Sequence, residues 1–531
     1  MPAPVFQPAL TITPTNTPVA EQSGENAGQS DFFQRRFAAS LTLLLLLAGC
    51  LYLALSFGRT GFAYAEAPFC LIPCEMIAAG NFVSPLFHNI PYYDKPILSY
   101  WLIIPVYKVL GASLFTSRIP SVIYALCTIG IVALCTRRLS GGKCAILSAL
   151  ALATSFRFAC FASSSMPDML LVLLDTCTMV ALYAYVRASG RHATLMALAG
   201  LCSGLAFLTK GPIGVVLPGV VFLAYLALSK QLKLLNVRHV LLAVILCLAA
   251  ALPWHLAAVA RDGLGALQWL YVTGNVQRFI GSVAGYNFDH GPLYMPITTL
   301  TGFLPWTVLL PPIVVASVRA WRKNWNQEET SLSLYLWLWI VANVVFFSLS
   351  KSNWGYYTLP VYPAAAILVG TYMAPWTSNK PRIAKAAPAI FGVIIVASLV
   401  FSGYAILKLP AKADPASVMA SILKKQSSIL SSRYEIAVES DLKGQYNLIE
   451  LIRLQVGKEV VGFTTTELAQ RVSDGKPIFC MLTREKFETL PNESKSQLQV
   501  VDSRPFKLLN YPSYKMVELL LVTNKPGDAA N

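Results

Sequence analysis

Between Phe37 and Leu407 the chain returns again and again to apolar runs close to the roughly 20 residues an α-helix needs to cross a bilayer. They cover 37–57, 119–136, 144–163, 168–186, 192–209, 212–229, 239–259, 293–318, 331–350, 356–375 and 386–407. Backbone amides in lipid must be satisfied within their own segment, so serial runs of this length predict an α-helical polytopic membrane protein with about 11 spans. Composition agrees. Of 531 residues 55% are hydrophobic and 13% charged, and mean hydropathy is +0.56, against roughly 25% charged residues in soluble domains. An ordinary soluble enzyme and a disordered chain are both excluded.

Residues 1–34, rich in Pro, Thr, Ala and Gln, carry no apolar period and are expected to form a disordered cytoplasmic tail. The first run starts too late for a cleaved signal and follows Arg35-Arg36, so it reads as an uncleaved span that opens a membrane domain over 35–407. Ile97–Leu110 is too short to span and holds Pro105 and Lys108, which predicts an interfacial helix inside a first outer loop, 58–118. With that assignment Arg35/Arg36, Arg137/Arg138/Lys143, Arg187/Arg191, Lys230/Lys233/Arg238, Arg319/Arg322/Lys323 and Lys380/Arg382/Lys385 fall on one side, the positive-inside pattern; a spanning Ile97–Leu110 would invert it. The expected protein is a multi-pass plasma (bacterial inner) membrane protein, N-terminus in the cytoplasm. The net charge of +16 is thus mainly an orientation signal, and no nucleic-acid partner is needed to explain it. From Lys408 to Asn531 mixed charge and short β-rich runs (Tyr434–Val438, Val460–Thr464, Ile478–Leu482, Met516–Val522) predict a small α/β extramembrane domain on the outer, periplasmic side.

Acids within the membrane domain are few: Glu66, Glu75, Asp94, Asp168, Asp175, Asp262, Asp289, Glu328 and Glu329, of which only the last two face inside in this topology. The outer cations are Arg59, Lys95, Lys108, Arg118, Arg157, Lys210, Arg261, Arg278 and Lys351. Ionisable groups at membrane depth are costly unless paired or used, so their convergence on one face marks a functional site. Blander readings stand beside this one. Asp168 suits a helix N-terminus, Asp175 reads equally as a neutral hydrogen-bonded acid, and from position alone Lys210 reads better as a snorkelling lysine. His88, His255 and His290 are scattered, so no spacing supports a metal. Cys70 and Cys74 are four apart, an awkward separation for a disulfide on a helix. No phosphate loop of Walker or Rossmann type is present.

The segments CEMIAAGNFVSPLFHNIPYYDKPILSYWL, SSMPDMLL, LAFLTKGP, NVQRF followed by HGPLY, and FSLSKSNWGYYTLPVYPA resemble, in order and spacing, the membrane glycosyltransferases of the C-type fold. The resemblance covers about 37–375 and points to the aminoarabinose-to-lipid A transferases and the protein mannosyltransferase superfamily. It implies inverting transfer of a sugar from a polyprenyl-phosphate donor to a lipid A-like lipid, a glycan or a protein on the outer face of the membrane. Cations and a tyrosine hydroxyl would stabilise the phosphate as it leaves, and a carboxylate would orient or deprotonate the acceptor. Carried over by motif, the donor phosphate falls to Lys95, Arg278 and Tyr357, with Lys210 and Lys351 as further cations. The carboxylates fall to Asp168 and Glu66, and Asp94, Asp175, His290 and Tyr356 are supporting candidates. The family's Asp-Glu pair reads Ala65-Glu66 here, and Pro68-Phe69 replaces its Arg-Tyr, so donor handling is better supported than acceptor identity. No cofactor is established by the motifs; a divalent metal stays open, without support from the sequence. Two other readings remain open: a transporter or flippase of a lipid-linked sugar, which Asp175 alone fits, and an impaired member of the fold, motivated by Ala65.

Overall fold

The computed structural model describes residues 19–59, 66–281, 290–323, 328–379, 435–439, 460–510 and 513–524. The expected eleventh span, 386–407, lies outside these residues, as does Ala65. Helix α1 (Val19–Gly58) begins well before Arg35, so the segment expected as a disordered tail is helical from Val19 onward; once a span is nucleated, each added residue gains a hydrogen bond at little further cost. Helix α2 (Glu66–Ala79) follows in the loop after α1, and then a small hairpin of β1 (Leu86–Phe87) and β2 (Ile90–Pro91). His88 and Asn89 at its tip both have positive φ, and their amides donate to the Glu75 carboxylate at 3.1 and 2.8 Å. Glu75 is thereby used in holding a turn.

Helix α3 (Leu98–Leu110) is 13 residues long, about 20 Å at 1.5 Å per residue. It falls short of the ~30 Å hydrocarbon core, and Tyr107 ties it to α2 by donating to the Cys70 carbonyl at 3.0 Å. The bundle continues through α4 (Leu114–Ser140), α5 (Gly142–Thr154), α6 (Phe156–Ala162), α7 (Asp168–Arg187), α8 (Ala193–Lys210), α9 (Ile213–Leu228) and α10 (Val237–Asp262). A short α11 (Leu264–Leu267), a π-helical stretch (Gln268–Gln277) and α12 (Arg278–Ile280) form the next loop. Then come α13 (Tyr294–Gly302), α14 (Leu310–Lys323), α15 (Glu328–Ser348), a 3-10 turn (Gly355–Val361) and α16 (Tyr362–Asn379).

Six of the described helices are long and apolar enough to span, with two more spans if each bent pair is one. Two runs read as single spans are broken. The 144–163 run bends by 68° between α5 and α6, and the 293–318 run by 107° between α13 and the Trp306–Lys323 segment. The breaks hold each other: Phe156 N–H donates to the Leu304 carbonyl at 3.0 Å, and Trp306 Nε1 donates to Thr154 Oγ1 at 2.9 Å. Each supplies a partner for groups freed by the other, which is what permits irregular backbone at membrane depth. Helix α7 is the most enclosed span, 78% buried against 17% for α10. Groups along α7 therefore face protein and not lipid.

The C-terminal part is a five-stranded mixed sheet of β3 (Glu435–Glu439), β4 (Val460–Phe463), β5 (Ile478–Thr483), β6 (Gln499–Asn510) and β7 (Ser513–Thr523), ordered β4-β3-β5-β7-β6. Strands β4, β3 and β5 pair in parallel, and β5, β7 and β6 antiparallel. Helix α17 (Thr465–Ser473), started by a Thr464–Glu467 capping box, buries Leu468 and Val472 beside Ile478 and Cys480. Strand β6 was not expected. Its Pro505 and charged residues hide the pattern, and both are tolerated because it lies at the sheet edge.

Candidate active site

Asp168 is the first residue of α7 and is buried, 2% exposed. Its Oδ1 pairs with Lys210 Nζ, while Oδ2 is buried with no hydrogen-bond partner among the described residues. Lys210 ends α8, where Gly211, at φ +82°, reverses the chain into α9. Its ammonium lies 4.7 Å from the Tyr357 ring centroid and 5.6 Å from that of Tyr356. The snorkelling expectation thus fails. Lys210 is 7% exposed and turned inward, because a carboxylate and two aromatic faces offer it more than the interface would.

A second ion-paired group stands beside this one. Asp94 meets Lys95 Nζ at 2.8 Å and Arg278 Nη2 at 2.6 Å. The loop that carries Asp94 is fastened to α10, since Tyr93 donates to Asp262 and Trp254 Nε1 donates to the Val83 carbonyl at 2.9 Å. Burial works against the charged form of Asp94, but Lys95 and then Arg278 more than offset it and hold the carboxyl at about 2. Burial pushes the Lys95 ammonium below its ordinary value; Asp94 opposes this, while Arg278 and Lys210 add to it. Tyr356 lies within electrostatic range of Asp168, Asp94 and Arg278, and its ring packs 5.2 Å from that of Phe161 in α6. Asp94, Lys95, Asp168, Lys210, Arg278, Tyr356 and Tyr357 are therefore one constellation at the α7 N-terminal end of the bundle.

Glu66 is fully buried but otherwise engaged. Arg118 grips it twice, Nε to Oε1 at 3.1 Å and Nη2 to Oε2 at 2.9 Å. Arg59 Nη2 and the Ser165 amide also donate to Oε1, at 2.9 and 2.6 Å. Ser165 stands three residues before Asp168, so this carboxylate fastens the loop that delivers Asp168. Composition offered no sign of this use, because Arg118 is 52 residues away in sequence. Arg59 and Arg118, expected only as outer cations, prove to be its partners.

The remaining candidates make other contacts. Asp175, 3% exposed and two turns into α7, lies within electrostatic range of Lys210, and among the described residues its Oδ1 has no hydrogen-bond partner. His290 Nδ1 lies 3.0 Å from Asn353 Oδ1 and its ring stacks on Tyr294 at 4.1 Å, away from the acids. Lys351 is exposed, and its amide donates to the Phe279 carbonyl at 2.8 Å. Among the described residues no group of three His, Cys, Asp or Glu could hold a metal ion. A cavity of about 840 Å³ opens at the opposite end of the bundle, lined by Ser140, Lys143, Tyr183, Ser317 and Tyr372 among others. Among its described lining residues there is no carboxylate, so chemistry is assigned to the charged end.

Residues 94–256 match the family model described as dolichyl-phosphate-mannose-protein mannosyltransferase. The chain is 30% identical over 332 residues to the undecaprenyl phosphate-α-4-amino-4-deoxy-L-arabinose arabinosyl transferase of Pseudomonas aeruginosa, covering 62% of this chain and 58% of that protein. It is 29% identical over 313 residues to the Proteus mirabilis transferase 2 of the same description, covering 58% and 54%. The chain thus spans somewhat over half the length of these curated relatives. Its fold matches the crystal structure of ArnT from Cupriavidus metallidurans bound to undecaprenyl phosphate, with TM-score 0.67 and 18% identity, over 92% of this chain and 98% of that one. The apo form of the same protein matches at TM-score 0.66. The chain thus shares the fold of ArnT and is similar, over 62% of its length, to an aminoarabinose transferase and, over residues 94–256, to the protein mannosyltransferase family.

Proposed function

We propose that this protein transfers a sugar, with inversion, from a polyprenyl-phosphate donor to an envelope acceptor at the outer face of the membrane. The observation that carries the reading is the meeting of Lys95, Arg278 and Lys210 around Tyr356 and Tyr357, next to a buried carboxylate with one open oxygen. Three cations against Asp94 and Asp168 leave a net positive pocket, suited to the charge that grows on a departing phosphate. Lys95 and Arg278 would hold that phosphate, exchanging Asp94 for it in part. Lys210 and the Tyr357 hydroxyl would lie on its other side. Asp168 Oδ2 would take the acceptor's proton or orient its attacking atom from the opposite face of the sugar.

Glu66 is assigned a different part from the one its motif implies. With both oxygens committed to two guanidinium groups and an amide, it is a poor proton acceptor, so its role is to position the Ser163–Asp168 loop. An aminoarabinose donor carried on undecaprenyl phosphate follows from the names of the relatives. The Ala65-Glu66 and Pro68-Phe69 departures lie on the acceptor side and leave lipid, glycan and protein acceptors to experiment. The deciding experiment is mass spectrometry of envelope lipids and glycoproteins from cells with and without the protein. A species that gains a sugar only when Asp168 is intact supports the reading; no such species in either compartment overturns it.

A further inference from the structure

Arg157 is not placed in the donor pocket by any motif, yet it touches the wall on which that pocket depends. It follows the break at Ser155, one residue past the Phe156 amide that bonds Leu304. Its half-buried side chain passes between two glycines from distant segments. A Cβ added to Gly302 would stand 2.7 Å from Arg157 Nε and 2.9 Å from its Cβ, and one added to Gly355 would stand 2.4 Å from Nη1. Neither glycine has a left-handed φ, so what a side chain would disturb is close approach: the fixed Arg157 Cβ at Gly302, and at Gly355 the movable guanidinium head with Thr298 beside it.

Gly355 begins the 3-10 turn that carries Tyr356 and Tyr357. Four residues along α6 from Arg157, Phe161 packs against Tyr356. The turn is thus held from one short helix at two points, a ring contact and a guanidinium laid along a glycine face. Among the described residues Arg157 has no carboxylate or other hydrogen-bond partner, so its contribution here is shape and contact, not an ion pair.

We propose that Arg157 is a positioning residue: wedged between Gly302 and Gly355, it sets where the Tyr356–Tyr357 turn stands over Lys210, and so sets affinity for the donor phosphate. This rests on the donor-phosphate reading of Lys95, Arg278 and Tyr357 given above. The planar head matters because it fits between two backbone surfaces where a flexible ammonium or a thioether would not bridge both.

The test is a double-mutant cycle on the full chain in detergent, reading the dissociation constant for undecaprenyl phosphate and the thermal midpoint. Gly355→Ala is expected to weaken binding about 10-fold, and in an Arg157→Ala background the same change is expected to cost less than about 3-fold, because the atom it strikes is gone. The remaining neighbours of that Cβ, Thr298 Cβ and Cγ2 at 3.0 and 3.1 Å, are relieved by a small shift. Gly302→Ala is the control: it also strikes Tyr362 Oη at 2.1 Å and the Arg157 Cβ, both retained in Arg157→Ala, so its cost should persist there. Arg157→Met alone should weaken binding with an unchanged thermal midpoint. Equal Gly355→Ala costs in both backgrounds, or full affinity in Arg157→Met, would overturn the proposal. Lys95→Ala and Arg278→Ala separate the two readings: if they leave affinity intact the phosphate site is misplaced, whereas if they weaken it while the cycle shows no coupling, only the role of Arg157 fails.

Discussion

Lys210 engages Asp168 through one carboxylate oxygen and leaves the other buried, with no partner among the described residues. A buried oxygen with no donor is costly, and structures keep such groups where a ligand or a reacting atom completes them.

Replacing Asp168 by Asn removes the proton acceptor and keeps the shape. Turnover at saturating donor should fall at least about 100-fold, the lower end of general-base contributions. Binding of undecaprenyl phosphate should be kept or strengthened, since Lys210 is released from its carboxylate. Wild-type turnover in this variant would take carboxylate catalysis at Asp168 out of the account.

Glu66→Gln tests the positioning role. Breaking a buried pair that neutralises Arg118 and Arg59 should cost about 3–5 kcal/mol and lower the thermal midpoint in detergent. Activity per folded molecule should drop less than in Asp168→Asn. A variant that melts like the wild type yet is inactive would restore Glu66 as a catalytic group.

Loss of Lys95 or Arg278 should weaken the donor by about 10- to 100-fold, as expected for a charge-assisted hydrogen bond worth roughly 1.5–3 kcal/mol. Arg278→Lys should recover only part of this, because the planar guanidinium that meets Asp94 Oδ1 is lost. Isothermal titration with undecaprenyl phosphate reads both.

Asp94 also predicts an acid limb. Its carboxyl is held at about 2 in the folded protein, below the roughly 3.9 of an unperturbed aspartate. A lowered folded value means stability that is full above the unfolded value and is lost as pH falls toward the folded one. Melting curves should therefore show an Asp94-dependent decline between about pH 4 and pH 2, absent in Asp94→Asn. An identical acid limb in both proteins would show that Lys95 and Arg278 do not hold the carboxylate ionised.

Topology is checked by labelling with an impermeant maleimide in a cysteine-free background. Asn492→Cys, in the sheet domain, should react in cells with a permeabilised outer membrane, and Arg191→Cys only after inner-membrane lysis. The reverse pattern would invert the orientation read from the basic loops.

The motifs placed Asp168, Lys210, Lys95, Arg278 and Tyr357 in one site, and the structure brings all five together. They also assigned Glu66 and Lys351 to that site, where the structure gives Glu66 to two arginines and leaves Lys351 exposed. The difference has a physical cause. Motif order constrains which loop a residue occupies, but a carboxylate goes to whichever donors reach it first, and Arg118 enters from a helix whose register no loop motif records. The interlocked breaks at Ser155 and at Phe303–Pro305 were likewise illegible, because hydropathy averages over a run and does not sense a carbonyl waiting on another helix.

By itself the sequence determined the solvent this protein lives in, the existence of a second, α/β domain, and the end at which its scarce carboxylates gather. Those follow from the cost of burying charge and backbone in lipid, which acts on each segment alone. Tertiary structure alone decided which acid keeps an open oxygen, which is clamped, and where the broken spans hold the tyrosine turn. Those outcomes depend on distances between residues 50 to 200 positions apart, such as Glu66 to Arg118 and Phe156 to Leu304, and only the packed bundle sets them.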